Sequence, residues 1–200
     1  MKEKHAKKII LDIGCGASKI KKAGTIGVDK EKLEGVDVVC DFAKKLPFKN
    51  NYADEIHCYH VIEHLHFPDN LMQEFYRVAK NGAFIYIKTP HYTGTAAWCD
   101  PTHVRALSLG FFENYERGWN YINKVKFQIV KKVIRWGGNY PVESWYPRYG
   151  VTKWYMKPPL LFTYYFFRVV CKLFPAFISE RFCYLFGGCD EIEIIYQAKK

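Results

Sequence analysis

The chain has 200 residues, 49% of them apolar and 25% charged, a balance that suits one globular domain and excludes intrinsic disorder. Its net charge of +10 is uneven: residues 1–116 carry 16 Lys and Arg against 15 Asp and Glu, whereas residues 117–200 carry 14 against 5, with 21 of the 35 aromatic side chains. Seven cysteines without a CxxC pair exclude zinc-ribbon spacing, and the opening MKEKHAKK is a basic tail with no apolar signal segment, so reduced thiols in a cytoplasmic protein are expected.

In chain order, KIILDI (8–13) is a short apolar run that stops at GCG, the pattern of a buried strand feeding a glycine turn. TIGVD (25–29) and VDVVC (36–40) are two more such runs, and the three strand ends bring three carboxylates, Asp12, Asp29 and Asp41. ADEIHCY (53–59) predicts a fourth strand. The segment 68–80 then carries Leu71, Phe75, Val78 and Ala79 at helical spacing, with Pro68 and Asp69 at its start and Asn81-Gly82 to end it. AFIYIKTP (83–90), KFQIVKKVIRW (126–136) and DEIEIIYQAK (190–199) complete seven predicted strands. Between the last two, residues 158–186 form aromatic helical pieces broken at Pro175, with Arg168 and Lys172 interrupting the apolar run, so a membrane-spanning helix is not expected. Strands alternating with helices imply an α/β fold with a mostly parallel sheet and ligands at the carboxyl ends of its strands.

The pivotal motif is ILDIGCG. Glycines at 14 and 16 let the backbone turn tightly and approach a ligand, with Asp12 beside the turn. Lys19 stands where a dinucleotide fingerprint needs its third glycine, and GxxxxGK[ST] is absent, so neither a nicotinamide or flavin site nor a P-loop is expected.

Taken together, ILDIGCG, IGVD, VVCDF, LPFKNNYADEI, HVIEHL, EFYRVAKNGAFIYIKTP, PHYTG and DPTH resemble, in order, the class I S-adenosylmethionine-dependent methyltransferases, particularly the small type 11 group, over residues 8–103. The resemblance implies a Rossmann-like methyltransferase fold with an antiparallel last strand and an aromatic C-terminal helical insertion. It also implies a single domain over 1–200, with a cofactor-binding core at 1–103, acceptor-binding or lid elements at 104–189 and the last strand at 190–199. S-adenosyl-L-methionine is the implied cofactor. Asp29, followed by Lys30, would bind its ribose hydroxyls, and Asp41 with Phe42 would address the adenine. Gly14, Cys15 and Gly16 would line the methionine moiety, with Asp12 near its ammonium and His60 beside the cofactor. Two departures stand out: only GASKIKKAG separates the glycine turn from the second strand, so the first helix must be short, and the third small residue of the loop is Ser18.

A sulfonium methyl is already a good electrophile, so positioning the acceptor comes first, and a hydroxyl acceptor also gains from a base near neutral pKa. The candidates are His91, just past the fifth strand, His103 paired with Asp100 in DPTH, and His64. The same DPTH is also a good turn and cap sequence, with Asp100 satisfying backbone amides. The stretch HCYHVIEHLHF invites a metal reading, but strand geometry sends His57 and Cys58 to opposite faces. Glu63-His64 matches the EH step of the family, and His60 occupies the place of the acidic residue that would complete a cation site one turn earlier. No metal is therefore expected, and His57 and His66 read as structural.

The leading expectation is methyl transfer to a small-molecule or carbohydrate-type (glycan) acceptor. The basic surplus motivates RNA as an alternative acceptor, although no RNA-binding module is visible. A non-catalytic binding subunit is the reading from another class, opposed by the joint presence of GCG, Asp29 and Asp41. Peripheral membrane contact through 158–186 is compatible with either enzyme reading, a buried helical pair being the alternative.

Overall fold

The computed structural model describes residues 8–17, 24–118, 125–136, 162, 165, 166, 169–175, 178, 183 and 189–200. Seven strands form one sheet: β1 (Ile10–Ile13), β2 (Thr25–Asp29), β3 (Val38–Val39), β4 (Ala53–Tyr59), β5 (Ala79–Pro90), β6 (Phe127–Trp136) and β7 (Cys189–Ala198). Their order is β3-β2-β1-β4-β5-β7-β6. The pairs from β3 through β5 are parallel, and β7 runs antiparallel between β5 and β6. The chain leaves β1 toward β2 on one side and returns through β4 on the other. The crevice of this open sheet therefore lies at the carboxyl ends of β1 and β4.

The sheet forms where it does because its central strands are apolar enough to be covered. Leu11, Ile13, Val28, Ile56, Cys58, Ile85, Ile192 and Ile194 are fully buried. Alternation is visible in β4, where Ala53, Ile56 and Cys58 are buried and His57 is only partly so, as a two-residue side-chain period requires. On one face lies α1 (Pro68–Val78), which buries Leu71, Met72, Phe75 and Val78 at helical spacing. Each of these side chains contributes on the order of 1.5–3 kcal/mol relative to exposure. Pro68 opens the helix where its missing N–H costs nothing.

One boundary differs from the sequence expectation. The helix stops at Val78 rather than running to the Asn81-Gly82 step, because Ala79 already has an extended backbone (φ −62°, ψ 141°) and pairs with Ala53 of β4. Gly82, at φ 81°, sits inside the strand at the shift of register that follows, so the Asn-Gly signal marks an irregularity of β5 instead of a helix end. The other predicted strands lie within two residues of their expected bounds.

Arg77 of α1 ties the loop after β3 in place: its guanidinium donates to the carbonyls of Leu46 (3.0 Å) and Phe48 (2.8 Å) and to the Glu74 carboxylate. That loop carries Asp41 and the buried Phe42. Beyond β5 come the short α2 (Ala96–Cys99) and α3 (Leu109–Arg117), which ends at Gly118 in the left-handed conformation. Tyr196, fully buried on β7, donates its hydroxyl to the Phe112 carbonyl of α3 at 2.7 Å. The short first crossover (18–23) and most of the aromatic segment 158–186 lie outside the described residues; within that segment Val169–Leu173 are helical. No helix among the described residues is long and apolar enough to cross a membrane.

Candidate active site

A cleft of about 550 Å³ opens at the crevice of the sheet, lined by the turn after β1 (Gly14), the ends of β2 and β3 (Asp29, Lys30, Asp41, Phe42) and, after β4, His60, Val61 and His64 to Phe67, with Asn70 and Thr102. Its size falls in the range of small-molecule pockets, about 300–1,000 Å³. The loop after β1 hangs from β2, since Gly14 and Cys15 both donate to the Val28 carbonyl (2.8 and 3.2 Å). Gly14 has φ 73°, and a Cβ there would drive into Val61 Cγ2, whereas a Cβ on Gly16 (φ 57°) would meet nothing. Gly14 is thus required by packing as well as by backbone conformation, and Gly16 by conformation alone.

Asp29 is buried, with Oδ2 accepting the Gly16 N–H (2.8 Å) and Oδ1 the Glu31 N–H (3.1 Å). A carboxylate offers about four acceptor positions, so, counting the described residues, two remain for hydroxyl donors in the cleft. Asp41 is more exposed. It caps its own turn through the Ala43 N–H (2.9 Å) and lies 3.5 Å from Lys44. Asp12 and Cys15 are half-buried beside the cleft but are not among its lining residues.

His60 has a left-handed backbone (φ 56°), uncommon for a residue with a Cβ, and its ring lies between two carboxylates. Nε2 is 3.5 Å from Glu191 and Nδ1 is 3.5 Å from Glu63. These two acids raise its pKa to about 9 against the opposing effect of burial, so at neutral pH the ring is an imidazolium and not a base. Burial opposes ionisation of Glu191, but His60, Lys88 and Arg135 outweigh it and hold the carboxyl below its ordinary value.

The second half of the cleft is built from imidazoles. His64 lines it and packs edge-on against His103, ring centroids 4.7 Å apart. Its Nδ1 lies 3.0 Å from Thr102 Oγ1 and 3.2 Å from the Thr102 carbonyl. Glu63 is buried beneath them, accepting the hydroxyl of the buried Thr89 on Oε2 at 3.0 Å.

Two catalytic expectations change in this geometry. His91 is fully enclosed, with Nδ1 2.8 Å from Thr93 Oγ1, and it does not line the cleft; burial lowers its pKa to about 4. The Asp100 carboxylate does not hydrogen-bond the His103 ring. Oδ2 and Nε2 are 3.9 Å apart, while the Asp100 carbonyl accepts the His103 N–H (3.1 Å) and Oδ1 accepts the Thr102 N–H (2.8 Å) and hydroxyl (2.6 Å), so the turn-capping alternative is the one realised. His66, read from sequence as structural, lines the cleft. Sequence reasoning missed Glu191 and Thr89 as site residues. Glu191 lies 131 positions beyond His60, and only the antiparallel pairing of β7 with β5 brings it there.

Strand order, crevice and inserted antiparallel β7 together define the Rossmann-like fold of class I methyltransferases. Residues 11–87 match the type 11 family described as "Methyltransferase domain". The YcgJ protein of Bacillus subtilis is similar in structure (TM-score 0.57, 20% identity, 98% of this chain and 93% of that one). So is an S-adenosylmethionine-dependent methyltransferase from Archaeoglobus fulgidus (0.54, 19%, 96% and 86%). A third is the methyltransferase described as putative in a complex with the Trm112 activator from Haloferax volcanii (0.57, 12%, 97% and 84%). No curated protein matches the sequence. The structural likenesses establish the fold, and over residues 11–87 the chain is similar to the type 11 S-adenosylmethionine-dependent methyltransferases.

Proposed function

We propose that the protein transfers the methyl group of S-adenosylmethionine to a small-molecule or carbohydrate-type acceptor bound at the imidazole-lined end of the cleft. The observation that carries this reading is the continuity of the site: one cleft joins Gly14, Asp29, Asp41 and Phe42 to His64 and Thr102. The cofactor, when bound, supplies an electrophilic methyl group. In this reading Asp29 uses its two remaining acceptor positions for the ribose hydroxyls. Asp41, with the buried Phe42, flanks the base, and Gly14 leaves the loop thin enough for close approach. His60, Lys30 and the turn at Cys15 and Gly16 complete that half.

On the acceptor side, Phe67 is largely exposed at the rim, an apolar surface suited to a sugar face or an aromatic ring. His64 lines this end of the cleft, with His103 packed edge-on against it. His91 and Asp100 support them structurally, His91 inside the protein and Asp100 by holding Thr102.

Calorimetric titration with S-adenosylmethionine tests the cofactor half. Wild type is expected to bind one equivalent, and Asp29→Ala to bind at least tenfold more weakly through loss of two hydroxyl acceptors, each worth on the order of 1 kcal/mol or more. Absence of binding by the folded wild-type protein would overturn the assignment.

A further inference from the structure

We propose that Glu63, His64 and His103 form a binding site for a divalent transition-metal ion, open to the cleft, and that this ion holds an oxygen of the acceptor. The proposal rests on the methyl-transfer reading for the identity of what the ion binds, but not for the binding of the ion itself. Among the described residues these three bring one ligand atom each to within 4.8 Å of one another. At that widest spacing a central point lies about 2.8 Å from each atom, so an inward shift of roughly 0.7 Å or less gives metal–ligand bonds of about 2.1 Å.

An independent observation points to an occupant. Oε1 of Glu63 is buried and makes no hydrogen bond, and Nδ1 of His103 is likewise buried without one. Buried polar atoms without a hydrogen bond are costly and rare, and Oε1, which His60 approaches to 3.5 Å without hydrogen-bonding it, calls for an ion or a water. Among the described basic groups, His60 Nδ1 lies 3.5 Å and His103 Nε2 3.9 Å from Oε1, neither hydrogen-bonded to it. His60 retains Glu191 as its other carboxylate at 3.5 Å, so it loses only one of two partners if an ion takes Oε1.

The surrounding hydrogen bonds orient the ligands. Thr102 has a single hydroxyl proton, donated to Asp100 at 2.6 Å. Both Thr102 atoms facing His64 are therefore acceptors, and they require the proton of His64 on Nδ1, leaving Nε2 with the lone pair. Thr89 occupies the other oxygen of Glu63, which leaves Oε1 as its free ligand atom. Asp100, through Thr102, thus becomes a positioning residue for His64.

Two imidazoles and one carboxylate suit zinc, manganese, cobalt or nickel better than magnesium or calcium, which prefer all-oxygen shells. Three protein ligands leave at least one position open, and His64 and Thr102 face the cleft, so that position is reachable by an acceptor hydroxyl. An ion there lowers the hydroxyl's pKa. Its proton leaves to solvent, the oxygen forms its bond to the methyl carbon, and the carbon–sulfur bond breaks to give the neutral thioether.

The test uses full-length, untagged, chelator-stripped protein titrated with Zn²⁺, Mn²⁺, Co²⁺ and Mg²⁺, with Co²⁺ followed by its visible absorption. One equivalent of Zn²⁺ or Co²⁺ is expected to bind, with Mg²⁺ at least tenfold weaker. Glu63→Gln and His103→Asn are each expected to lose at least tenfold in affinity, and His57→Asn, outside the cleft, none. Circular dichroism checks folding; if Glu63→Gln unfolds, His103→Asn decides. Failure of the folded wild type to bind any of these ions, or unchanged affinity in folded His103→Asn, would overturn the site and leave a water as the partner of Oε1. S-adenosylmethionine binding is expected to persist in His103→Asn. Its absence in wild type counts against the methyl-transfer reading, whereas metal affinity is read separately.

Discussion

Replacing Gly14 by alanine separates two reasons for glycine in the turn after β1. At φ 73° a Cβ costs about 1–2 kcal/mol. Gly14 adds a collision with Val61 Cγ2, and overpacking a closed contact costs about 1–3 kcal/mol. Alanine also restricts the unfolded chain and returns about 0.4–1 kcal/mol. The net expectation is a loss of about 2–4 kcal/mol for Gly14→Ala but only about 1 kcal/mol for Gly16→Ala, where a Cβ meets nothing. Urea unfolding followed by fluorescence measures both. Val61→Ala removes the colliding methyl groups while sacrificing about 1.6 kcal/mol of buried surface. The double variant Gly14→Ala with Val61→Ala should therefore be more stable than the sum of the single losses predicts by about 1–3 kcal/mol. Equal losses at the two glycines, or strict additivity with Val61→Ala, would refute the packing argument and leave only the backbone term.

Two further outcomes follow from buried polar groups. Burial lowers the His91 pKa to about 4, while the unfolded chain takes up this proton near 6.5. The unfolded state therefore binds more protons between those values, and stability is lost as pH falls from 6.5 toward 4, by at most about 3 kcal/mol. His91→Gln should flatten that part of the stability–pH curve, and a curve parallel to wild type would count against it. Tyr196→Phe removes the hydroxyl donated to the Phe112 carbonyl but keeps the ring. It should cost about 1–1.5 kcal/mol, or roughly 2–6 °C in Tm by calorimetry; an unchanged Tm would mean that this link between α3 and β7 adds nothing.

Much of the strand-end half of the cleft was legible because its signals are local. A short apolar run followed by GCG needs only a strand and a tight turn, and Asp29 and Asp41 sit where two further runs stop. β4 was read at its observed bounds, Ala53–Tyr59. The end of α1 was not, because Asn81-Gly82 is a strong local stop signal that pairing of Ala79 with Ala53 overrides. The acceptor half was hardest to read: DPTH has the composition of both a catalytic pair and a capped turn, and only the Asp100–Thr102 hydrogen bonds distinguish them.

The sequence by itself determined the class of fold, the position of the glycine turn and the carboxylates, Asp29 and Asp41, that line the cleft, since strand period, turn chemistry and residue type act within a few positions of the chain. Tertiary structure alone decided which distant groups meet. Insertion of β7 between β5 and β6 puts Glu191 against His60. The path after β5 brings His103 beside Glu63 and His64 while enclosing His91. Burial, charge and ligand geometry at those meetings depend on separations in space that no local pattern encodes.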